Sequence, residues 1–239
     1  MKVLLIDDHP LILSALQSVI KGLGDNVSVA TASNAQTART ALREDTHHDL
    51  VLLDLHLGED DGFELLAELR TNYPALPVVV ISASDRTSDV IRAIDMGAMG
   101  FVPKRASNDT LISALQQVMS GGVYVPPMSM GSPLSPNTSA TDPLHRIQRE
   151  AVAAGFQNTP PLAQLGLTPR QCDVLALLLK GQPNKLIARE LNLSVETVKD
   201  HVAAVLRSLG VSSRTQAVIA VSQILQKQGG FSAWRNNAP

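Results

Sequence analysis

Five short runs rich in Val, Leu and Ile, at 3–6, 27–30, 50–53, 78–81 and 100–102, punctuate the first half of the 239-residue chain. Longer segments with helical periodicity separate them: Leu11-Ile12, Ala15-Leu16 and Val19-Ile20, then Phe63 to Leu69, Val90 to Ile94, and Leu111 to Met119. Near-continuous apolar strands alternating with amphipathic helices need a sheet buried on both faces, which means parallel strands joined by helical crossovers. Five such units predict a small doubly wound α/β domain over residues 1–122. Aromatics make up only 3% of the chain, so this core must be built from Leu, Val, Ile and Ala.

Ligands of such sheets bind beyond the carboxyl ends of the strands. Asp7-Asp8 follow the first run, Asp54 the third, Ser82 the fourth and Lys104 the fifth. Three carboxylates gathered at one sheet edge repel each other unless a hard divalent cation neutralises them, and Mg2+ (or Mn2+) prefers oxygen ligands of this kind. His9-Pro10 reads as a helix start rather than as part of a site, because Pro suits the first helical turn.

Charge divides the chain. Residues 1–122 carry 9 Lys+Arg against 16 Asp+Glu, a balance of −7, and residues 160–239 carry 9 against 4, a balance of +5. Only the back half is expected to meet a polyanion. Between the halves, residues 123–166 hold Pro126-Pro127, Ser132-Pro133, Ser135-Pro136 and Pro160-Pro161 and read as a linker, with a possible short helix at 143–156. From Thr168 the pattern is all-helical. Thr168-Pro169-Arg170-Gln171 and Ser213-Arg214-Thr215-Gln216 read as capping boxes, Asn184 and Ser194 as further caps, and the last helix runs to about Gln228. Residues 229–239 read as a frayed tail in which Phe231 and Trp234 could dock. Cys172, the only cysteine, excludes an intrachain disulfide and reads as a small, partly buried residue rather than a redox sensor. The apolar run in MKVLLIDD is too short for a signal peptide, and no stretch approaches a membrane span, so a cytoplasmic protein is expected.

Ile6-Asp7-Asp8-His9-Pro10, Leu53-Asp54-Leu55, the acidic loop with Gly62, Ser82-Ala83 and Val102-Pro103-Lys104 together resemble the receiver domain of bacterial two-component response regulators. The flavodoxin/CheY-like fold is what the resemblance implies. It also implies that Asp54 accepts a phosphoryl group from a sensor histidine kinase. Asp8, Asp54 and the His56 backbone carbonyl would hold Mg2+, with Asp7 behind them. Lys104 and Ser82 would contact the phosphoryl oxygens, and Phe101 would be the switch aromatic that turns inward. His56 and Ser84 fall at the positions that influence how long the phosphoryl group persists.

Residues 167–228 resemble the LuxR-type helix-turn-helix of the NarL/FixJ class, through Leu167-Thr168-Pro169-Arg170, Asn184-Lys185-Leu186-Ile187-Ala188, Thr197-Val198-Lys199 and Leu209-Gly210-Val211. On the third helix Val198, Val202, Val205, Leu206 and Leu209 make one apolar stripe. The opposite face, with Glu196, Thr197, Lys199, Asp200, Ala203 and Arg207, would enter the major groove of double-stranded DNA. Lys185 and Arg214 would contact phosphates. Asp200 either accepts from a cytosine amino group, repels other bases, or pairs with Lys199 or Arg207. Ala217, Val218, Val221 and Leu225 on the last helix either form a homodimer contact in the active state or complete the domain's own core.

These readings converge on a phosphorylation-dependent, DNA-binding transcriptional regulator, activated by release of the DNA-binding domain or by dimerisation. A metal-dependent phosphohydrolase with an Asp nucleophile lacks a further acid/base group and leaves the helical module unexplained. A protein-binding module that takes no phosphoryl group leaves the complete pocket unexplained. A bulky imidazole at His56 would obstruct the water that attacks the phosphoryl group, so a lifetime of many minutes or more is expected. His56→Asn should shorten it in a phosphoryl-decay assay; an unchanged rate would overturn this.

Overall fold

The computed structural model describes residues 1–24, 26–127 and 165–228. Its N-terminal unit alternates as expected: β1 (Lys2–Ile6), α1 (Pro10–Lys21), β2 (Ser28–Ala32), α2 (Ala35–Glu44) and β3 (Leu50–Asp54). The two-residue strands β4 (His56–Leu57) and β5 (Asp60–Asp61) follow, then α3 (Gly62–Asn72), β6 (Val78–Ser82), α4 (Thr87–Asp95), β7 (Gly100–Pro103) and α5 (Asn108–Met119). Five strands form one parallel sheet in the order β2-β1-β3-β6-β7.

Strand residues alternate between two cores, as side chains of period two must. Leu4, Ile6, Val51, Leu53, Val78, Val80 and Phe101 face α2, α3 and α4 through Ala38, Leu42, Leu66 and Val90. Val3, Leu5, Leu52, Val79, Ile81 and Val102 face α1 and α5 through Ile20, Leu111 and Leu115. Each layer is a continuous apolar cluster, which is why the runs carry almost no polar residue before their last position.

Register sets the ligand edge. Ile6 lies opposite Leu53, so Asp7 emerges one residue past β1 beside Asp54, the last residue of β3. The sheet edge extends past residue 122. Tyr124 bridges to Gly100, its carbonyl accepts from the Phe101 N–H at 3.0 Å, and Val123 and Val125 pack on the core.

The C-terminal unit is all-helical: α6 (Pro169–Leu179), α7 (Asn184–Leu191), α8 (Val195–Ser208) and α9 (Arg214–Gln228). Thr168 and Gln171 form the complete capping box, and Ser194 caps α8 by accepting from the Thr197 N–H at 3.0 Å. Two expected caps differ. Asn184 is the first residue of α7 rather than its cap, because Pro183 takes the cap position, and its amide turns outward to another partner. Ser213 accepts from the Gln216 N–H at 3.2 Å, but the Gln216 side chain reaches Ser212 instead of closing the box. Leu165, Val174, Leu178, Ile187, Val198, Val202, Leu206 and Val221 fill this unit's core. The expected helix at 143–156 and the tail at 229–239 lie outside the described residues.

Gly62 begins α3 directly beneath the end of β3. A Cβ there would sit 2.5 Å from the Asp54 carbonyl oxygen and 2.5 Å from Leu55 Cα, both backbone atoms that cannot yield independently. Gly62→Ala should therefore cost about 3 kcal/mol through overpacking, read as a lower urea midpoint at unchanged slope. A loss below about 0.5 kcal/mol, the range of unremarkable surface changes, would show that the turn opens freely.

Candidate functional site

The strand ends bring Asp7, Asp8, Asp54 and Lys104 together. Asp7 and Asp54 are each only 2% exposed. Lys104 Nζ stands 2.7 Å from Asp54 Oδ2 and 2.7 Å from Asp7 Oδ2. Burial pulls the Lys104 ammonium down, but its hydrogen bonds to Asp54 and Asp7 and their charges outweigh that, so its pKa is raised. It stays charged, and the two buried carboxylates share one cation.

The remaining oxygens are less well served. Asp54 Oδ1 is buried without a hydrogen-bond partner, whereas Asp8 Oδ1 has His9 Nδ1 at 2.7 Å. Orphaned buried carboxylate oxygens are costly and point to a ligand that satisfies them. Asp7, Asp8, His9 and Asp54 each offer a ligand atom, all lying within 4.8 Å of one another. An acidic pocket of this kind fits a divalent cation, with hard oxygen donors from Asp8 and Asp54. His9 is the member that its sequence role as a helix start concealed. It does begin α1, with Pro10 in the first turn, yet its side chain makes no capping bond and lies in the carboxylate cluster.

Ser82 ends β6 fully buried, and its hydroxyl accepts from the Ser84 N–H at 3.1 Å. Its carbonyl accepts from the Lys104 N–H at 2.7 Å, tying the two strand ends together. Ser84 in turn donates to Asp89 Oδ2 in the first turn of α4 at 2.6 Å. His56 lies exposed on β4, paired with Asp61. Phe101 is fully enclosed in the core, already in the inward position.

The predicted DNA-facing residues do not share one environment. Lys185, Asp200 and Arg207 are exposed, and Ala203 is half-buried. Thr197 Oγ1 hydrogen-bonds Ser194 Oγ at 2.8 Å. Lys199 is 13% exposed; it pairs with Glu196 at 2.9 Å rather than with Asp200, and donates to the His48 carbonyl at 3.0 Å. Arg214 donates to the Gln182 carbonyl, and burial lowers its pKa to about 10, still charged at neutral pH. Ala217 and Val221 are buried within the chain's own core, with Val218 packed against it, so the stripe expected at a dimer contact is used inside the unit. The side chain of Leu225 lies outside the described residues. Cys172 is half-buried, and burial together with Asp173 pushes its thiol up, away from the reactive thiolate.

Lys199 meets the N-terminal unit at a surface that sequence reasoning could not foresee. Asn184 Nδ2 donates to the Ala75 carbonyl at 3.4 Å, and Gln216 Nε2 to the Asp95 carbonyl at 2.8 Å. Ala75 packs on the C-terminal core. Gly121 (φ +91°) approaches Gly181 so closely that any side chain would collide with the Gly181 carbonyl. Arg70, buried and lowered by burial to about 10, donates to the carbonyls of Tyr73, Pro74 and Leu76 and so fixes the turn that presents Ala75. His48 is buried, which pushes its imidazole down and keeps it neutral beside Lys199.

Two family models match the chain: the response regulator receiver domain over residues 3–116, and the bacterial regulatory proteins of the luxR family over residues 165–221. A glycerol metabolism activator of Pseudomonas putida is 35% identical over 223 residues, which cover 93% of this chain and 96% of the relative. The nitrate/nitrite response regulator NarL of Escherichia coli K12 is 34% identical over 221 residues, covering 92% and 94%. The crystal structure of the response regulator ChrA, from a heme-sensing two-component system, is 27% identical with a TM-score of 0.42, covering 93% of this chain and 96% of that one. Among the described residues no helix is long and apolar enough to cross a membrane. The chain belongs to the NarL/FixJ family of bacterial response regulators, in which a receiver domain precedes a LuxR-type DNA-binding domain.

Proposed function

We propose that Asp54 is the phosphoacceptor and that its phosphorylation by a histidine kinase frees the DNA-binding domain from the receiver. The observation that carries this is the pocket itself: a buried carboxylate with one oxygen on Lys104 Nζ at 2.7 Å and the other without a hydrogen-bond partner. Asp8, Asp54 and the His56 carbonyl would hold Mg2+, with Asp7 supporting them. The bound cation would neutralise charge on the transferring oxygens. Asp54 would be the nucleophile toward phosphorus, Lys104 would follow a phosphoryl oxygen as a mobile point charge, and Ser82 would donate its hydroxyl to another. No further acid/base group is needed, so the chain acts as a slow acceptor rather than a turnover enzyme, in the cytoplasm where kinase and DNA are found.

The receiver would span 1–122 with Val123–Val125 packed on its edge, the linker 123–166, the DNA-binding domain 167–228 and the tail 229–239. Release is favoured over simple dimer assembly because Lys199, a residue expected to touch DNA, donates to the His48 carbonyl of the receiver. Ala217 and Val221 serve the domain's own core. Lys185, Thr197, Lys199, Asp200, Ala203, Arg207 and Arg214 remain the proposed DNA-facing set once the domains part, with a dimer on a two-fold operator as the bound form.

Beryllofluoride with Mg2+, which mimics a phosphoryl group on Asp54, should raise amide hydrogen exchange across α8 and increase the radius of gyration. Asp54→Ala should respond to neither. Doubled mass with unchanged exchange in α8 would instead make assembly the mechanism.

Ala75→Arg should place a bulky cation in the contact with a basic domain and open it without any phosphoryl group. If the open form is about a tenth of the population, affinity for generic duplex DNA at low salt should rise about tenfold. No gain in a retardation assay would mean that the contact does not limit DNA binding.

A further inference from the structure

We propose that Asp89 is a positioning residue for the phosphoacceptor: through Ser84 it latches the loop between β6 and α4 and holds the Ser82 hydroxyl away from Asp54. The inference rests on the reading of Asp54 as phosphoacceptor and concerns what makes the pocket resist activation.

Asp54 lies opposite Ile81 in the pairing of β3 with β6, and Ser82 is the next residue along, fully buried. Yet Asp54 Oδ1 is buried and has no hydrogen-bond partner among the described residues, while Oδ2 is held by Lys104 Nζ at 2.7 Å. A buried oxygen left unmet beside the strand end that carries a buried hydroxyl is costly, so something holds that hydroxyl elsewhere. Ser82 Oγ instead accepts from the Ser84 N–H at 3.1 Å.

Ser84 is itself fixed. Its hydroxyl donates to Asp89 Oδ2 at 2.6 Å, and the same oxygen accepts from the Arg86 N–H at 3.3 Å. A hydroxyl on a carboxylate at that separation is a charge-assisted bond, stronger than a neutral one. Arg86 occupies the cap position of α4, but its side chain makes no capping bond, so Ser84 and Asp89 tie the loop to the helix in its place. Asp85 in the same loop pairs with Arg105, but that pair is exposed and contributes little. Moving Ser82 toward a phosphoryl oxygen strips the Ser84 N–H of its acceptor. Ser84 cannot follow without giving up Asp89 or carrying the first turn of α4 with it. The Ser84–Asp89 bond therefore opposes the arrangement that a phosphoryl group on Asp54 needs.

The test titrates the full chain with beryllofluoride at saturating Mg2+ and reads the fluorine NMR signal of the bound form. Beryllofluoride carries no phosphoryl group to hydrolyse, so persistence plays no part in the result. Asp89→Ala and Ser84→Ala should each lower the half-saturating concentration about fivefold, the gain expected if the latch leaves about a fifth of the molecules competent. A loss of folding could not produce tighter binding. The double variant should gain the same factor, because both changes break one bond; a product of about 25-fold would mean two separate effects and overturn the latch. Asp89→Asn keeps an acceptor oxygen and drops the charge, so it should stay within about twofold of the wild type. Behaviour like that of Asp89→Ala would instead make Asp89 a partner of the α4 N-terminus, not of Ser84. Unchanged or weaker binding in Asp89→Ala would also overturn the proposal while leaving Asp54 as the acceptor. No bound signal in the wild type, or a bound signal in Asp54→Ala, would overturn the phosphoacceptor reading and this inference with it.

Discussion

One ammonium between two buried carboxylates governs the receiver. Lys104 Nζ is equidistant from Asp7 and Asp54 at 2.7 Å, and both acids are almost fully enclosed. Removing one partner from such a cluster leaves a buried charge uncompensated, which is far more costly than the cluster's net contribution to stability. The arrangement is thus poised rather than relaxed. Asp8 adds a third carboxylate, with the His9 imidazole 2.7 Å from its Oδ1. Any cation entering the cluster relieves a repulsion that the single lysine cannot cancel. A phosphoryl group on Asp54 would add charge at the same place and draw on the same donors. The fold concentrates unmet demand at one sheet edge because parallel strands in register end together there.

A contiguous set of contacts joins that edge to the DNA-binding domain. Ser82 shares its carbonyl with the Lys104 N–H and its hydroxyl with the Ser84 N–H. Ser84 holds Asp89 in the first turn of α4. At the far end of α4, the Asp95 carbonyl accepts from Gln216 of α9, and Gly97 lets Ser213 come close enough that a Cβ there would sit 2.9 Å away. Arg92 lies over the Phe63 ring at 4.0 Å, seating the helix between those ends on α3. Movement of Ser82 toward a phosphoryl oxygen would therefore be felt first by Ser84 and Asp89. These contacts identify α4 as the two-ended element between pocket and interface.

The fold was legible because β1, β3, β6 and β7 each carry an apolar run that ends at or just before a residue of different chemistry; β2, with Ser28 and Thr31 in its sequence, is the weaker case. Those patterns located Asp7, Asp54, Ser82 and Lys104 at the strand ends without any knowledge of distances. His9 was less legible, since His-Pro before a helix is explained fully by helix initiation; only the side chain's position among the carboxylates reveals more. The α9 stripe was ambiguous for a related reason. Ala217 and Val221 have the spacing of a buried face, and spacing does not say whether the neighbour belongs to the same chain. The domain contact left least trace, because backbone carbonyls of His48, Ala75 and Asp95 make it. Carbonyls are common to every residue and carry no sequence signature.

That use of carbonyls also makes the contact easy to break. Lys199, Asn184 and Gln216 each donate to a receiver carbonyl, and a neutral acceptor attracts an ammonium less than an anion does. If Lys199 contacts DNA as proposed, it would exchange a carbonyl for the nucleic acid while Glu196, three residues earlier, stays beside it. Such an exchange would favour the nucleic acid locally, while the receiver's overall charge of −7 against +5 for the C-terminal segment supports the closed pairing at longer range. The closed state is a balance between weak local bonds and diffuse attraction. Salt, which screens the diffuse term, and a change at the end of α4, which misplaces the Asp95 carbonyl, each weaken one of the two contributions.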